Sequence, residues 1–234
     1  MARIHVSCGI VLCVALLWPG AAVAGDVFTG YQIDHQGQYY TYLGVRTPLT
    51  SGASNLQPFI QVMGAGLGYT FKDNGSKRDA EVQFASPSLG IKYVMGGWNF
   101  IGFAGPQFRW KQEDRQTGGR TNENDVGVYV QGEAFHWHER GTFQGIVSYT
   151  DLDNFVWSRL RTTRLVHKSE RGCCSAYLGW DLGGMGNKDF YAVQTGPLVQ
   201  VPVARFYLTL KGGYQYTQTF HNGAYGGVEL YFHF

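Results

Sequence analysis

Apolar and polar side chains alternate along most of the chain after residue 25. In 228–234, Val, Leu and Phe side chains occupy every second position, and Glu, Tyr and His side chains occupy the positions between them. The runs 98–110, 126–134 and 206–211 show the same alternation. Successive side chains of a β-strand point to opposite faces, so each run predicts a strand with one apolar and one polar face.

Two architectures can bury such faces. A soluble sandwich turns the apolar face inward, whereas a membrane barrel turns it to the lipid. The runs are about 10–15 residues long, closer to the roughly 9–11 residues that cross a bilayer than to the roughly 5–6 of ordinary strands. Aromatic side chains also collect at the ends of the runs, as an interfacial girdle requires: Tyr39, Trp98, Trp110, Tyr214 and Tyr216. The pattern therefore favours the barrel.

The sequence predicts an all-β protein, an antiparallel up-and-down transmembrane β-barrel of ten to twelve strands. Twelve runs can be counted: 27–34, 38–47, 58–71, 80–94, 97–111, 125–138, 141–151, 154–166, 174–183, 190–200, 204–217 and 223–234. An even number agrees with bacterial single-chain barrels. The polar segment Gln112 to Asp125 is expected to be a long loop, and Pro87 is expected to mark a bulge. By the same rule of faces, the apolar odd positions of 59–71 are expected to face the lipid, opposite Gly64, Gly66 and Gly68.

The first residues have the composition of a secretory signal. Arg3 is positive, Ile10 to Leu17 is apolar, and Ala22-Val23-Ala24 has the small-x-small pattern of a cleavage site. We therefore expect a cleaved signal peptide at 1–24 and the barrel at 25–234. Of the four cysteines, Cys173 and Cys174 then remain, and we interpret them as unpaired thiols, with an intermolecular bridge or a metal role as alternatives.

The composition changes the picture in two ways. Glycine makes up 33 of the 234 residues, about twice its usual share of roughly 7%. Glycines interleaved with aromatic residues suit strands that pass closely on a curved surface. The formal net charge is only +2, and the sequence contains no basic stripe, so a nucleic-acid partner is not expected.

If the apolar positions face the lipid, a defined polar and aromatic set faces the lumen. It comprises Asp34, Tyr40, Tyr42, Arg46, Arg109, Lys111, Glu133, Trp157, Arg159, Arg161, Asp181, Arg205, Tyr207, Lys211, Tyr225 and Glu229. The first interpretation is a lumen whose charges neutralise one another, because charges screened from water need partners. The alternative is a saccharide path in which aromatic rings stack on sugars and guanidinium groups bind hydroxyls. The candidate binding residues on that alternative are Trp157, Arg159, Arg161, Asp181, Tyr207 and Tyr225.

Two histidine segments raise the question of metal binding or catalysis. His136 and His138 share a strand face, yet that face is the lipid side, so we interpret them as interfacial histidines flanking a girdle Trp137. His221 would need a serine nucleophile, and no serine follows it at strand spacing. We therefore expect no catalytic residue, no metal and no cofactor.

Three segments resemble one known family. They are VFTGYQIDHQGQYYTYLGVRTPL from Val27, DNFVWSRLR from Asp153 and GWDLGGMGNKDFYAVQTGPLV from Gly179. The pattern of an aromatic-Ser-Arg-x-Arg strand followed by a strand ending in Gly-Asn-x-x-aromatic is similar to that of the cellulose biosynthesis protein BcsS family. The residues that carry it are Trp157, Arg159, Arg161, Gly186, Asn187, Phe190 and Tyr191.

The resemblance implies a non-enzymatic outer-membrane accessory of cellulose biosynthesis or secretion in a Gram-negative bacterium, neither the synthase nor the main export pore. It implies no catalytic residues. Expected partners are the lipid bilayer of the outer membrane, the glucan chain or the cellulose-export machinery, and the barrel-assembly machinery through the terminal Phe234. The alternatives are a small general porin or channel and, as a third reading, an outer-membrane lipid hydrolase.

Overall fold

The computed structural model describes residues 25–50, 54–73, 76–115, 119–168, 175–218 and 222–234. The predicted signal peptide at 1–24 lies outside these residues, and so do Cys173, Cys174 and His221. Within the described residues, no helix is long and apolar enough to cross a membrane. A single turn of 3-10 helix at Leu152–Asn154 is the helical element found there.

Twelve antiparallel strands form one closed barrel in which chain neighbours are also sheet neighbours. The strands are β1 (Asp26–Asp34), β2 (Tyr39–Pro48), β3 (Leu56–Asp73), β4 (Ser76–Met95), β5 (Trp98–Arg115), β6 (Gly119–His138), β7 (Gly141–Thr150), β8 (Phe155–His167), β9 (Ala176–Gly186), β10 (Tyr191–Val203), β11 (Phe206–Thr217) and β12 (Gly223–His233). The predicted fold class and strand number are confirmed.

The barrel closes where β1 pairs with β12. The register runs from Asp26 opposite His233 to Asp34 opposite Tyr225 without a break. Beyond it, Gly25 and Phe234 exchange two backbone hydrogen bonds, both of 2.9 Å between N and O. The wall therefore has no open seam, and a closed wall is what allows strands to lie in lipid with every backbone group paired.

The two faces of the wall have opposite character. On the outside, Val126 is 66% exposed and Leu210 is 53% exposed, whereas Arg159 and Asp181 inside the barrel are 8% and 0% exposed. Apolar residues outside and polar residues inside are the inverse of a soluble protein and match a transmembrane barrel. The alternation read from β5, β6, β11 and β12 is therefore confirmed.

In β3, however, the expected orientation is wrong. Phe59 and Gln61 are inside the barrel and buried, whereas Ile60 and Val62 are 41% and 46% exposed on the outside. The alternation in this strand is between apolar residues and glycines, so polarity does not tell its faces apart. Packing decides: the Phe59 ring contacts the Phe103 ring inside, with centroids 6.0 Å apart.

Two further expectations are corrected. Pro87 does not mark a bulge, because it pairs with Val62 in an unbroken register between β3 and β4. On its other side the pairs of residues 86–88 with 105–107 are missing from the ladder with β5, but the register is the same before and after this interruption. The segment Gln112 to Asp125 is not a long loop, because β5 continues to Arg115 and β6 begins at Gly119. Polar side chains on both faces are typical of a loop, but they are also typical of a sheet that extends beyond the lipid-facing part of the wall.

The strands β3 to β6 have 18 to 20 residues, whereas the other eight have 9 to 13. Their additional residues lie mainly at the end opposite the termini. There β6 pairs with β7 only from Tyr129 onward, so that residues 119–128 have no partner strand on that side. We call residues 69–73, 76–83, 110–115 and 119–128 the projecting sheet. At about 3.3 Å per residue, the strands of this sheet extend roughly 16–33 Å beyond the shorter wall.

The orientation of the wall predicts the effect of a charge on the lipid side. Leu210→Arg is expected to lower the free energy of unfolding by about 2–4 kcal/mol, because Leu210 lies near the middle of an outward-facing run. Leu210→Phe keeps the outer face apolar and is the matched control. Urea unfolding of the refolded barrel in lipid vesicles measures both. Equal stability of the two variants would contradict the assigned faces.

Candidate functional site in the barrel lumen

A group of charged side chains meets around Glu229 inside the barrel. Its carboxylate accepts from Arg159 at 3.1 Å and from Arg161 at 2.8 Å, and it lies 3.0 Å from the Lys211 ammonium. All four side chains are 10% exposed or less. Since β8 and β12 are not neighbours in the wall, the two arginines reach across the lumen to Glu229.

Asp181 completes this group. It is fully buried, and its Oδ2 accepts from Arg161 Nε at 2.9 Å and from Arg161 Nη2 at 2.5 Å. The two residues are register partners on β8 and β9, so the fold of the wall brings them together. We call Arg159, Arg161, Asp181, Lys211 and Glu229 the central charge cluster. Three cations face two carboxylates in it, and the guanidinium of Arg161 bonds to both carboxylates.

Neutral and aromatic groups surround the central charge cluster. Arg159 donates to Gln144 Oε1 at 3.1 Å, and its guanidinium carbon lies 5.5 Å from the centre of the Trp157 ring. Among the described residues, Arg159 Nε, Asp181 Oδ1 and the Tyr225 hydroxyl are buried without a hydrogen-bond partner. The cluster is therefore strongly bonded internally, yet it keeps hydrogen-bonding capacity that a hydroxyl group could use.

A second ion pair crosses another part of the lumen. Arg46 in β2 donates to Glu133 in β6 at 2.7 Å and to Gln61 Oε1 at 2.9 Å. The Arg46 guanidinium also lies 5.0 Å from the centre of the Phe59 ring. A guanidinium can accept an aromatic neighbour and a carboxylate at once because it is flat and weakly hydrated. This arrangement ties together strands on two sides of the barrel.

A third group lies at the mouth opposite the termini. Arg109 in β5 pairs with Asp125 in β6 at 2.6 Å, and with Asp153 in the turn between β7 and β8. The Asp153 carboxylate is more exposed than its partner. The charges of the lumen are thus paired near its centre, near the end that carries the termini, and at the opposite mouth.

Of the six candidate binding residues, the structure brings five together. Trp157, Arg159, Arg161 and Asp181 are joined by the contacts above, and Tyr225 lies within electrostatic range of Asp181. The sixth, Tyr207, lies elsewhere.

Tyr207 belongs to an aromatic group at the end that carries the termini. Its ring centre is 5.9 Å from that of Trp137 and 6.2 Å from that of Tyr231. Trp137 therefore points into the barrel and is not the girdle residue that the sequence suggested. His136, on the outer face, stacks on Trp98 with centroids 4.6 Å apart.

Arg205 is not in the lumen, which corrects the expectation from the sequence. It lies exposed in the turn between β10 and β11, where Ala204 adopts a positive φ of 56°. The error follows from the strand boundary, because β11 begins at Phe206 rather than two residues earlier. Sequence analysis also missed Gln61 and Gln144, since a neutral glutamine gives no signal until its charged partner is known.

A metal site is not seen in the part of the chain that the structure describes. There, no group of three or more His, Cys, Asp or Glu side chains is arranged to hold an ion.

Comparison with known proteins gives the family. The family model for the cellulose biosynthesis protein BcsS matches residues 26–234. The chain belongs to the BcsS family. No curated protein matches it.

Two solved structures share the fold of this BcsS family member. The β-domain of the Bordetella autotransporter Brka has a TM-score of 0.53 and 12% identity, and the match covers 91% of this chain and 100% of that one. The translocator domain of the autotransporter NalP from Neisseria meningitidis has a TM-score of 0.54 and 12% identity, with 96% and 92% covered. At this identity the comparison shows a common outer-membrane barrel architecture and nothing of function.

The central charge cluster predicts a strong effect of losing its shared carboxylate. Glu229→Gln is expected to destabilise the barrel by about 3–5 kcal/mol, because Arg159 and Lys211 then lose their ion-pair partner inside the protein. Glu123→Gln removes a half-exposed partner of Lys111 at 3.6 Å and is expected to cost less than about 1 kcal/mol. Denaturant titration of the two purified variants in the same detergent compares them. A Glu229 variant as stable as the Glu123 variant would show that the cluster does not stabilise the fold.

Proposed function

We propose that this BcsS family member is a non-enzymatic outer-membrane accessory of cellulose production, with a lumen held closed by its own ion pairs. The observation that supports closure is the pairing of charges across the lumen, by Arg159 and Arg161 to Glu229 and by Arg46 to Glu133. The family match supports the link to cellulose. The apolar outer wall and the outer-membrane fold support the location.

The proposed location sets what the protein can touch. With the termini on the periplasmic side, the projecting sheet lies outside the cell and the barrel wall contacts lipid. The sugar-nucleotide substrate of a synthase is cytoplasmic, so a barrel at this place acts on the emerging glucan or on the export machinery. Assembly into the membrane would use the terminal Phe234, whose alternating apolar strand the barrel-assembly machinery recognises.

The absence of catalysis is part of the proposal, and the lumen chemistry supports it. The ionisable groups of the central charge cluster bind one another, and the Arg161 guanidinium holds both carboxylates in place. A general acid or base must be free to exchange a proton with a substrate, which such pairing opposes. Direct glucan binding by the lumen candidates, with Trp157 and Arg161 as the first residues to mutate, stays a prediction.

A general porin is the competing function, and ion conductance separates the two. In planar bilayers the wild-type barrel is expected to show little or no steady conductance, because side chains cross the lumen. The double variant Arg46→Ala/Glu133→Ala removes both partners of one crossing pair and is expected to conduct more. Arg120→Ala/Asp114→Ala, which removes an exposed pair on the projecting sheet, is the control. A wild-type protein with large, stable open channels would favour the porin.

Deletion of the gene tests the link to cellulose. The deletion strain is expected to lose cellulose-dependent dye binding and biofilm, because the protein acts after polymerisation. Synthase activity in isolated membranes is expected to stay normal, since the cytoplasmic substrate is out of reach of an outer-membrane protein. Re-expression of the wild-type chain restores the phenotype and is the control. Normal cellulose and normal attachment in the deletion strain would refute the proposed role.

A further inference from the structure

The outer face of the projecting sheet carries a compact group of amides around a tryptophan. Trp110 in β5 has Gln83 of β4 and Asn124 of β6 as its register partners. In the next row, Gln112 has Glu81 and Asn122 as partners on the same two strands. Side chains in matching positions of adjacent strands lie side by side on one face, so these six residues form a single surface. We call it the amide face.

The amide face is a shallow recess with an exposed ring. The recess has a volume of about 250 Å³, and all six residues border it. Trp110 is 46% exposed, and its ring is nearly parallel to that of Phe108, at an interplanar angle of 21°. Gln112 Nε2 donates to Asn122 Oδ1 at 3.0 Å, which fixes the orientation of both amides. The ring and the amides are therefore presented together on one face of the sheet.

This combination of groups suits a carbohydrate. An indole ring offers a flat apolar surface for the axial C–H bonds of a sugar, and carboxamides both donate to and accept from hydroxyl groups. An extended sheet carries such groups in rows, which matches an extended polysaccharide chain better than a small ligand. The face lies where the apolar wall ends: Val126 in the row below is 66% exposed. The amide face therefore lies beyond the apolar band on the same outer side of the wall.

The charges around the amide face favour a neutral ligand. Lys111 borders the recess, and its ammonium lies 2.7 Å from Glu113 and 3.6 Å from Glu123. Arg120 lies 3.5 Å from Asp114 and donates to Gln112. The nearby cations are thus matched by carboxylates, and Glu81 adds a negative charge to the face. A phosphate-bearing or acidic ligand would need the opposite balance.

We propose that the amide face is a binding site for a neutral polysaccharide chain, with Trp110 as its stacking platform. That the chain is a β-glucan of the cellulose type rests on the proposed function. The site is distinct from the lumen and reconciles a closed barrel with a role in cellulose production, because the glucan is bound outside the pore. The Trp110 ring stacks on one sugar ring, and the amides in the row of Trp110 and in the row of Gln112 bind its hydroxyl groups.

Calorimetric titration of the purified full-length barrel in detergent with cellohexaose tests the site. The wild-type protein binds, and Trp110→Ala weakens binding by about tenfold or more, as for a central aromatic contact. Trp110→Phe keeps a ring and retains most of the affinity. Asn124→Leu replaces the amide by an apolar side chain of similar shape and also weakens binding. Polygalacturonate, an acidic polymer, does not bind.

Trp180→Ala is the matched control, because Trp180 is a comparably exposed tryptophan, at 52%, on another part of the outer wall. It leaves cellohexaose binding unchanged. A change in gel migration between heated and unheated samples confirms that every variant is a folded barrel.

The possible outcomes separate the site from the proposed function. No binding by the wild-type barrel, or equal binding by Trp110→Ala, overturns the site and identifies Trp110 as a girdle residue only. Stronger binding of the acidic polymer overturns it as well. If cellohexaose does not bind but deletion alters cellulose, the site fails while the proposed function stands. If Trp110-dependent binding is found in a protein whose deletion leaves cellulose normal, the proposed function fails and the neutral-saccharide site stands.

Discussion

The structure depends on one constraint, which is that a strand surrounded by lipid must find all its backbone hydrogen bonds on other strands. Lipid offers no donor or acceptor, and each unpaired group there costs several kcal/mol. The pairing of β1 with β12, continued by Gly25 and Phe234, meets that requirement. Once the wall is closed, its outer side chains have to be apolar, and polar side chains are left with the lumen. The inverted pattern of exposure follows from the closure.

The polar side chains inside the barrel impose a second requirement, which is that their charges must be paired. Polar side chains crowded inside a narrow barrel are partly screened from water, so each charge needs a partner nearby. Register supplies one partner, as with Arg161 and Asp181 on adjacent strands. The curvature of the wall supplies the other, because it brings β12 within reach of β8 across the lumen. The same pairing that satisfies these charges also narrows the passage. Stability and the proposed closure of the lumen would thus both result from one arrangement.

The sequence was informative wherever apolar residues alternate with polar ones. In β11 and β12 it predicted both the strands and their faces, since one face had to avoid lipid. It failed in β3, where glycine occupies the alternate positions and only the contact of Phe59 with Phe103 decides the orientation. It also failed for the projecting sheet, because a strand with polar residues on both faces has the composition of a loop. Because the turn includes Ala204, β11 begins later than the sequence predicted, and Arg205 lies in the turn and not in the lumen.

The members of the lumen site could be predicted, but their contacts could not. Arg159 and Glu229 are 70 positions apart in the chain, and nothing in either local sequence indicates the other. The distance between them depends on the number of strands and on the curvature of the wall. The amide face was missed for a related reason, because Gln83, Gln112 and Asn124 become neighbours only when three strands are aligned in register.

The position of Glu229 on the final strand has a consequence for assembly. Arg159, Arg161 and Lys211 lie on strands that precede β12 in the chain, and Asp181 is the other carboxylate of the central charge cluster. Until β12 is in place, these cations outnumber their carboxylate by three to one. Pairing of β12 with β1 and β11 therefore completes both the wall and the charge balance. A chain that ends before Glu229 would lose both, so truncation at the final strand leaves an open wall beside unbalanced buried cations.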